Sequence, residues 1–101
     1  LPLSRGLGDV YKRQKLIICQ PFAIPGTTAV DESWVEPFGK YQASAKKLAL
    51  EFNAFWVPFQ EAFDKAMLDA PASYWIPDGV HPSISGSQLM ADEWLKIIQR
   101  T

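Results

Sequence analysis

The chain has 101 residues, with one cysteine, one histidine, four tryptophans, eight prolines and a formal net charge of -1. That length sets one small domain or less, and 48% hydrophobic with 21% charged residues is the composition of a folded chain rather than a disordered one. The near-neutral charge gives no electrostatic basis for binding nucleic acid or an anionic membrane, and no apolar run approaches the ~20 residues that span a bilayer. A single cysteine excludes an internal disulfide, and with a single histidine it argues against a Cys/His zinc site, so any imidazole chemistry rests on His81.

Residues 1–14 follow neither a helix nor a strand period and carry three of the ten basic residues. They lack the apolar core and small-residue cleavage site of a secretory signal. The words Gly-Leu-Gly-Asp-Val-Tyr-Lys-Arg-Gln within them resemble a segment at the start of many unrelated metagenomic reading frames that looks like translated sequencing adapter. Residues 1–14 are therefore read as a non-native or disordered tail and residues 15–101 as the native part, in which seven basic and ten acidic side chains leave a net charge of -3.

The run Lys15-Leu-Ile-Ile-Cys-Gln20, ending at Pro21, predicts a fully buried strand of a parallel sheet, with Cys19 as a small buried hydrophobe. Residues 21–33, rich in Pro, Gly and Thr, predict a loop at the strand's C-terminal end, where open α/β sheets carry their binding residues. A helix is expected over 39–52, with Tyr41, Ala45, Leu48 and Phe52 as its buried stripe, Lys46 and Lys47 on a solvated face, and Asn53 as a left-handed cap. Residues 54–57 predict a second strand, stopped by Pro58. A helix with Phe59, Phe63, Ala66 and Met67 inward follows, and then a proline-rich loop over 69–83. The last helix is expected to start in a capping box, with Ser85 as cap and Gln88 reaching back, and to bury Met90, Trp94, Ile97 and Ile98. This alternation predicts part of an α/β sheet with helices on its faces. Two strands do not make a stable sheet of that kind, so further strands are expected beyond it.

The segment Trp75-Ile-Pro-Asp78-Gly79-Val80-His81-Pro82 carries the chemistry. Asp78 and His81 stand three apart in a loop punctuated by Gly and Pro, which can turn both side chains to one side. Asp78 can then hold one imidazole nitrogen and leave the other free as a general base. On spacing alone, most such pairs are solvated or structural. Asp31 and Glu32, the other adjacent carboxylates, read as solvated. Trp75, just before Asp78, and Phe22 and Pro25, just after the first strand, are candidates to line a substrate pocket. Trp56 and Trp94 read as packing residues.

Asp78-Gly-Val-His81-Pro-Ser, followed by Gly86 in a helix, resembles the last motif block of the SGNH/GDSL-type ester hydrolases. The preceding segments, Leu16 to Phe22, the helix through Leu48, Phe55 to Phe59 and Ala66 to Trp75, stand where that family has its last two strands and their helices. The resemblance implies the C-terminal half of a three-layer α/β/α, flavodoxin-like domain, with Asp78 and His81 as the acid and base of a Ser-His-Asp triad. The bacterial carbohydrate acetyl-esterases, including those acting on acetylated xylan, are the most similar subgroup. It further implies a small ester substrate, in particular an acetylated saccharide, and no metal or organic cofactor. The partner it implies is the missing N-terminal half, which would bring the Ser nucleophile and the oxyanion donors. Gly8-Asp9-Val10 has Val where the family has its nucleophilic Ser, and Ser87 stands where the family often has a His. No Gly-x-Ser-x-Gly elbow occurs, and Ser83, Ser85 and Ser87 are poor nucleophile candidates. The chain alone is therefore expected to be inactive and, with an uncovered strand edge and apolar face, prone to homo-oligomerise. The competing possibility is a small non-enzymatic carbohydrate-binding or protein-interaction module. The compartment is left open.

Overall fold

A computed structural model describes residues 16–99; the tail of residues 1–14 lies outside them. The order is β1 (Ile17–Cys19), a 3-10 turn (Glu32–Trp34), α1 (Val35–Glu51), β2 (Phe55–Val57), α2 (Phe59–Ala66), α3 (Ala72–Trp75) and α4 (Ile84–Ile98). The two strands pair in parallel, with Ile17 opposite Phe55 and Cys19 opposite Val57. Parallel strands need a crossover of a dozen residues or more, which α1 supplies. The architecture is α/β, a small parallel sheet with helices packed on it.

Each element has a local cause. Asp31 starts the 3-10 turn by accepting the Ser33 N–H at 2.8 Å. Pro37 is tolerated in α1 because it falls in the first turn, where no intrahelical N–H bond is lost. Asn53 ends that helix with φ 52°, as an amide side chain in the left-handed region can. α2 has no capping side chain of its own residues; instead Gln20, at the end of β1, accepts the Gln60 N–H at 3.0 Å. Phe63 and Ile76, both fully buried, form the core with Ile24, and Leu89 and Met90 of α4 pack against it. Burying each such side chain contributes about 1.5–3 kcal/mol.

Several local expectations are corrected. α1 begins earlier, at Val35, and buries Ala49, with Phe38, Gln42 and Ala45 half-buried, while Tyr41, Leu48 and Phe52 are exposed. Short alanines let the helix approach the sheet. Gln42 fits that face because its amide donates to the Pro21 carbonyl at 2.8 Å. β1 is not fully buried: Ile17 and Cys19 are exposed, because α1 covers this strand while α4 packs chiefly on β2. Partial burial still pushes the Cys19 thiol pKa up, so it stays protonated. The cap of α4 is Ser83, not Ser85: its hydroxyl accepts the Gly86 N–H at 3.1 Å, and Gln88 turns forward to Asp92. Trp94 is partly exposed; Lys46 and Lys47 are exposed as expected, with the Lys46 amine over the Trp56 ring at 4.9 Å. Residues 69–83 also hold the short helix α3.

Candidate active site

The segment between α3 and α4 folds back on itself. Asp78 Oδ1 accepts the backbone N–H groups of Val80 at 2.9 Å and His81 at 2.7 Å. This Asx-type turn fixes the carboxylate relative to its own backbone. The second oxygen, Oδ2, then lies 2.5 Å from Nδ1 of His81. The bonds to His81, first from its side chain and then from its backbone, with that from Val80, hold the Asp78 carboxyl down to a pKa of about 2. Asp78 is thus a carboxylate throughout the neutral range, and its acceptor oxygen places the imidazole proton on Nδ1. Nε2 is left as the basic nitrogen. The His81 side chain is 83% exposed and Nε2 has no hydrogen-bond partner among the described residues.

The turn is anchored on both flanks. On the α4 side, Ser83 N–H donates to the Trp75 carbonyl at 2.8 Å, and the Ser83 hydroxyl donates to the Tyr74 carbonyl at 2.6 Å. A hydroxyl so committed is a cap and a brace, not a nucleophile. On the β1 side, Ile24 N–H donates to the Gly79 carbonyl and Ala29 N–H to the Asp78 carbonyl, both at 3.0 Å. Gly79 has φ +96°, a backbone state that favours glycine.

The three residues expected to line a pocket lie in different surroundings. Trp75 is half-buried against the Ile24–Phe63–Ile76 core, and its Nε1 donates to the carbonyls of Ala66 and Ala70, each at 3.2 Å. Phe22 packs on Phe63, with ring centroids 4.9 Å apart, and edge-on to Phe59. Pro25 is exposed and lines a groove of about 250 Å³ together with Val30, Trp34 and Phe38, with Gln60 and Asp64 also on its wall. Neither Asp78 nor His81 lines that groove. Asp31 and Glu32 do not pair: Asp31 is the cap of the 3-10 turn, and the Ser33 hydroxyl and N–H hold its carboxyl below the usual range. Among the described residues, no three His, Cys, Asp or Glu side chains gather to hold a metal ion, and no helix is long and apolar enough to cross a membrane.

A group that sequence reasoning did not single out ties these parts together. Gln60 Oε1 accepts from Ala23 N–H at 2.9 Å and from Gln42 Nε2 at 3.1 Å, so α1, α2 and the start of the 23–30 loop meet at one amide. No periodicity marks such residues. The one available signal is Gln20, a polar side chain closing an apolar strand run just before Pro21.

No protein-family model and no curated protein matches the chain. Solved structures do. A protein assigned as a GDSL-like lipase from Parabacteroides merdae is 38% identical, with a TM-score of 0.82 over 94% of this chain and 47% of that one. Axe2, an acetylxylan esterase from Geobacillus stearothermophilus, is 27% identical, with a TM-score of 0.73 over 93% of this chain and 43% of that one. For Axe2, variants replacing a serine and a histidine are described as catalytic mutants. LAE5, an α/β-hydrolase enzyme from the metagenome of Lake Arreo, at 19% identity and a TM-score of 0.74, shares the fold. The chain spans a little under half the length of the solved relatives it matches. In fold and sequence it is similar to the SGNH/GDSL-type hydrolases, of whose domain it spans about half.

Proposed function

We propose that this chain supplies the acid–base pair of a serine ester hydrolase that removes O-acetyl groups from carbohydrates. His81 takes the proton from a serine hydroxyl through Nε2 as that oxygen attacks the ester carbonyl. It then returns the proton to the leaving alcohol. Asp78 fixes the Nδ1–H tautomer and stabilises the imidazolium that forms between the two steps. The carrying observation is the 2.5 Å contact between His81 Nδ1 and Asp78 Oδ2, with the opposite ring nitrogen unpartnered among the described residues on a side chain 83% exposed. The similarity to an acetylxylan esterase supports the acetylated-saccharide substrate.

The 101 residues hold no Gly-Asp-Ser block. The nucleophile and the oxyanion donors therefore belong to the part of the domain that this chain does not span. By the same logic, the chain alone does not turn over esters.

The test is a chimera in which residues 16–99 replace the matching segment of the Geobacillus esterase. Folding is checked by its melting transition, and hydrolysis of acetylated xylo-oligosaccharide is followed. Activity lost on His81→Ala supports the role. Activity unchanged by that substitution in a folded chimera, or His81-dependent turnover by the 101-residue chain alone, would overturn it.

A further inference from the structure

We propose that Thr27 is a positioning residue for the His81–Asp78 pair, its hydroxyl locking the 24–30 loop that holds the Asp78–Gly79 backbone from outside. The catalytic meaning of this role rests on the function proposed for the pair, but the geometry and its test do not.

The bonds inside the turn, from Val80 and His81 N–H to Asp78 Oδ1, set the carboxylate relative to its own backbone. They do not set the turn relative to the rest of the fold. That is done on one side by two donors, Ile24 N–H to the Gly79 carbonyl and Ala29 N–H to the Asp78 carbonyl. Both donors stand on a single short loop, which closes on itself. The N–H groups of Gly26 and Thr27 both donate to the Val30 carbonyl, at 3.0 and 3.1 Å. The Thr27 hydroxyl donates to the Ile24 carbonyl at 2.6 Å. Ile24 is thereby held at both backbone groups, by Thr27 at its carbonyl and by Gly79 at its N–H.

Thr27 also meets the turn directly. A Cβ on Gly79 would collide with Thr27 Oγ1 and would stand 2.8 Å from the Ile24 carbonyl oxygen and 2.9 Å from Val30 Cγ2. The loop thus presses on the bare face of Gly79, with the Thr27 hydroxyl at the point of contact. Removing that hydroxyl leaves the Ile24 carbonyl without its side-chain donor and frees the loop to open. The Gly79 backbone, held at φ +96° under that contact, is then free to relax, and with it the turn whose internal bonds aim the carboxylate at Nδ1.

His81 is the only histidine, so its imidazole resonances in the 101-residue chain need no further assignment. Two readouts report the pair directly: the pH midpoint of the Asp78 carboxyl carbon and the exchange rate of the His81 Nδ1 proton. The titratable side chain in contact with Asp78 is that of His81. In the Thr27→Val chain the midpoint is expected to rise from about 2 by about one pH unit and the Nδ1 proton to exchange faster. Thr27→Ser, which keeps the hydroxyl, should match the parent. Thr27→Ala only removes atoms and decides by the same readouts if the valine chain does not fold. A lowered melting temperature with both readouts unmoved would make Thr27 merely structural and overturn the proposal; so would a serine chain shifted like the valine one. A chimera insensitive to His81 would instead refute the esterase role and leave these midpoints as they are.

Discussion

His81 bonds to Asp78 twice: its ring through Nδ1 to Oδ2 at 2.5 Å, and its backbone N–H to Oδ1 at 2.7 Å. The backbone bond is made whatever the ring does, so the carboxylate is already aimed before the imidazole arrives. Asp78→Asn would keep an acceptor for the backbone bond but would put an amide where the Nδ1 proton needs a charged acceptor. In the active chimera, kcat should fall about 10³–10⁴-fold with KM little changed, as expected when only the tautomer and the imidazolium are lost. A loss in KM alone would place Asp78 in substrate binding instead.

The depressed Asp78 pKa carries a pH dependence with a definite sign. Its folded value of about 2 lies below its ordinary 3.8. Such a group contributes stability that is present above the ordinary value and is lost as pH falls through the folded one. Urea midpoints of the parent chain should therefore drop more steeply between pH 4 and pH 2 than those of Asp78→Asn. Parallel profiles for the two chains over that interval would show that the His81 bonds do not hold in solution.

Much of this site was legible in the sequence because turns are written in residue types. Gly79 with φ +96° between an aspartate and a histidine, followed by a proline, specifies a tight turn locally. The second strand and the Phe59–Phe63–Ala66 face were legible for the same reason: short-range period decides them. What failed depends on partners distant in sequence. Tyr41, Leu48 and Phe52, the bulky residues at helical spacing, suggest one face for α1, but the sheet selects the short Ala49 face with Gln42 satisfied by Pro21. Ser83 takes the cap from Ser85 because the Tyr74 and Trp75 carbonyls fix its hydroxyl. The Thr27 clamp joins residues about fifty apart, and no local pattern announces it.

Three glycines separate space from backbone freedom. Gly79 combines a positive φ with a Cβ blocked by Thr27 and by the Ile24 carbonyl, so Gly79→Ala should cost about 2–4 kcal/mol. Gly86 is helical, and alanine there gains about 1 kcal/mol of propensity. Its Cβ, however, would be driven into the Trp75 carbonyl, which Ser83 N–H holds in place. The clash wins, and Gly86→Ala should lose about 1–2 kcal/mol net. Gly39, inside α1 with nothing within 4 Å of a Cβ, should gain about 0.5–1 kcal/mol on the same change. Urea unfolding of the three variants checks the order, and a stabilised Gly86→Ala would show that the Trp75–Ser83 brace yields.

The exposed side of α1 gives the last test. Tyr41, Leu48 and Phe52 fall at helical spacing and are 68%, 46% and 62% exposed, so they form one apolar stripe facing solvent. Ile17 on β1 is also exposed. An apolar stripe of this kind on a small chain favours association, and we expect the isolated chain to sediment above the mass of 11.3 kDa at micromolar concentration. Leu48→Lys with Phe52→Lys breaks the stripe, leaving Tyr41 isolated, without touching Ala49 or Gln42, which face the sheet and the Pro21 carbonyl. That double variant should sediment as a monomer and keep the parent melting temperature, because solvent-facing side chains contribute little to the packed core. A doubly substituted chain that still associates would move the contact to the β1 edge, where Ile17→Lys is the matching substitution.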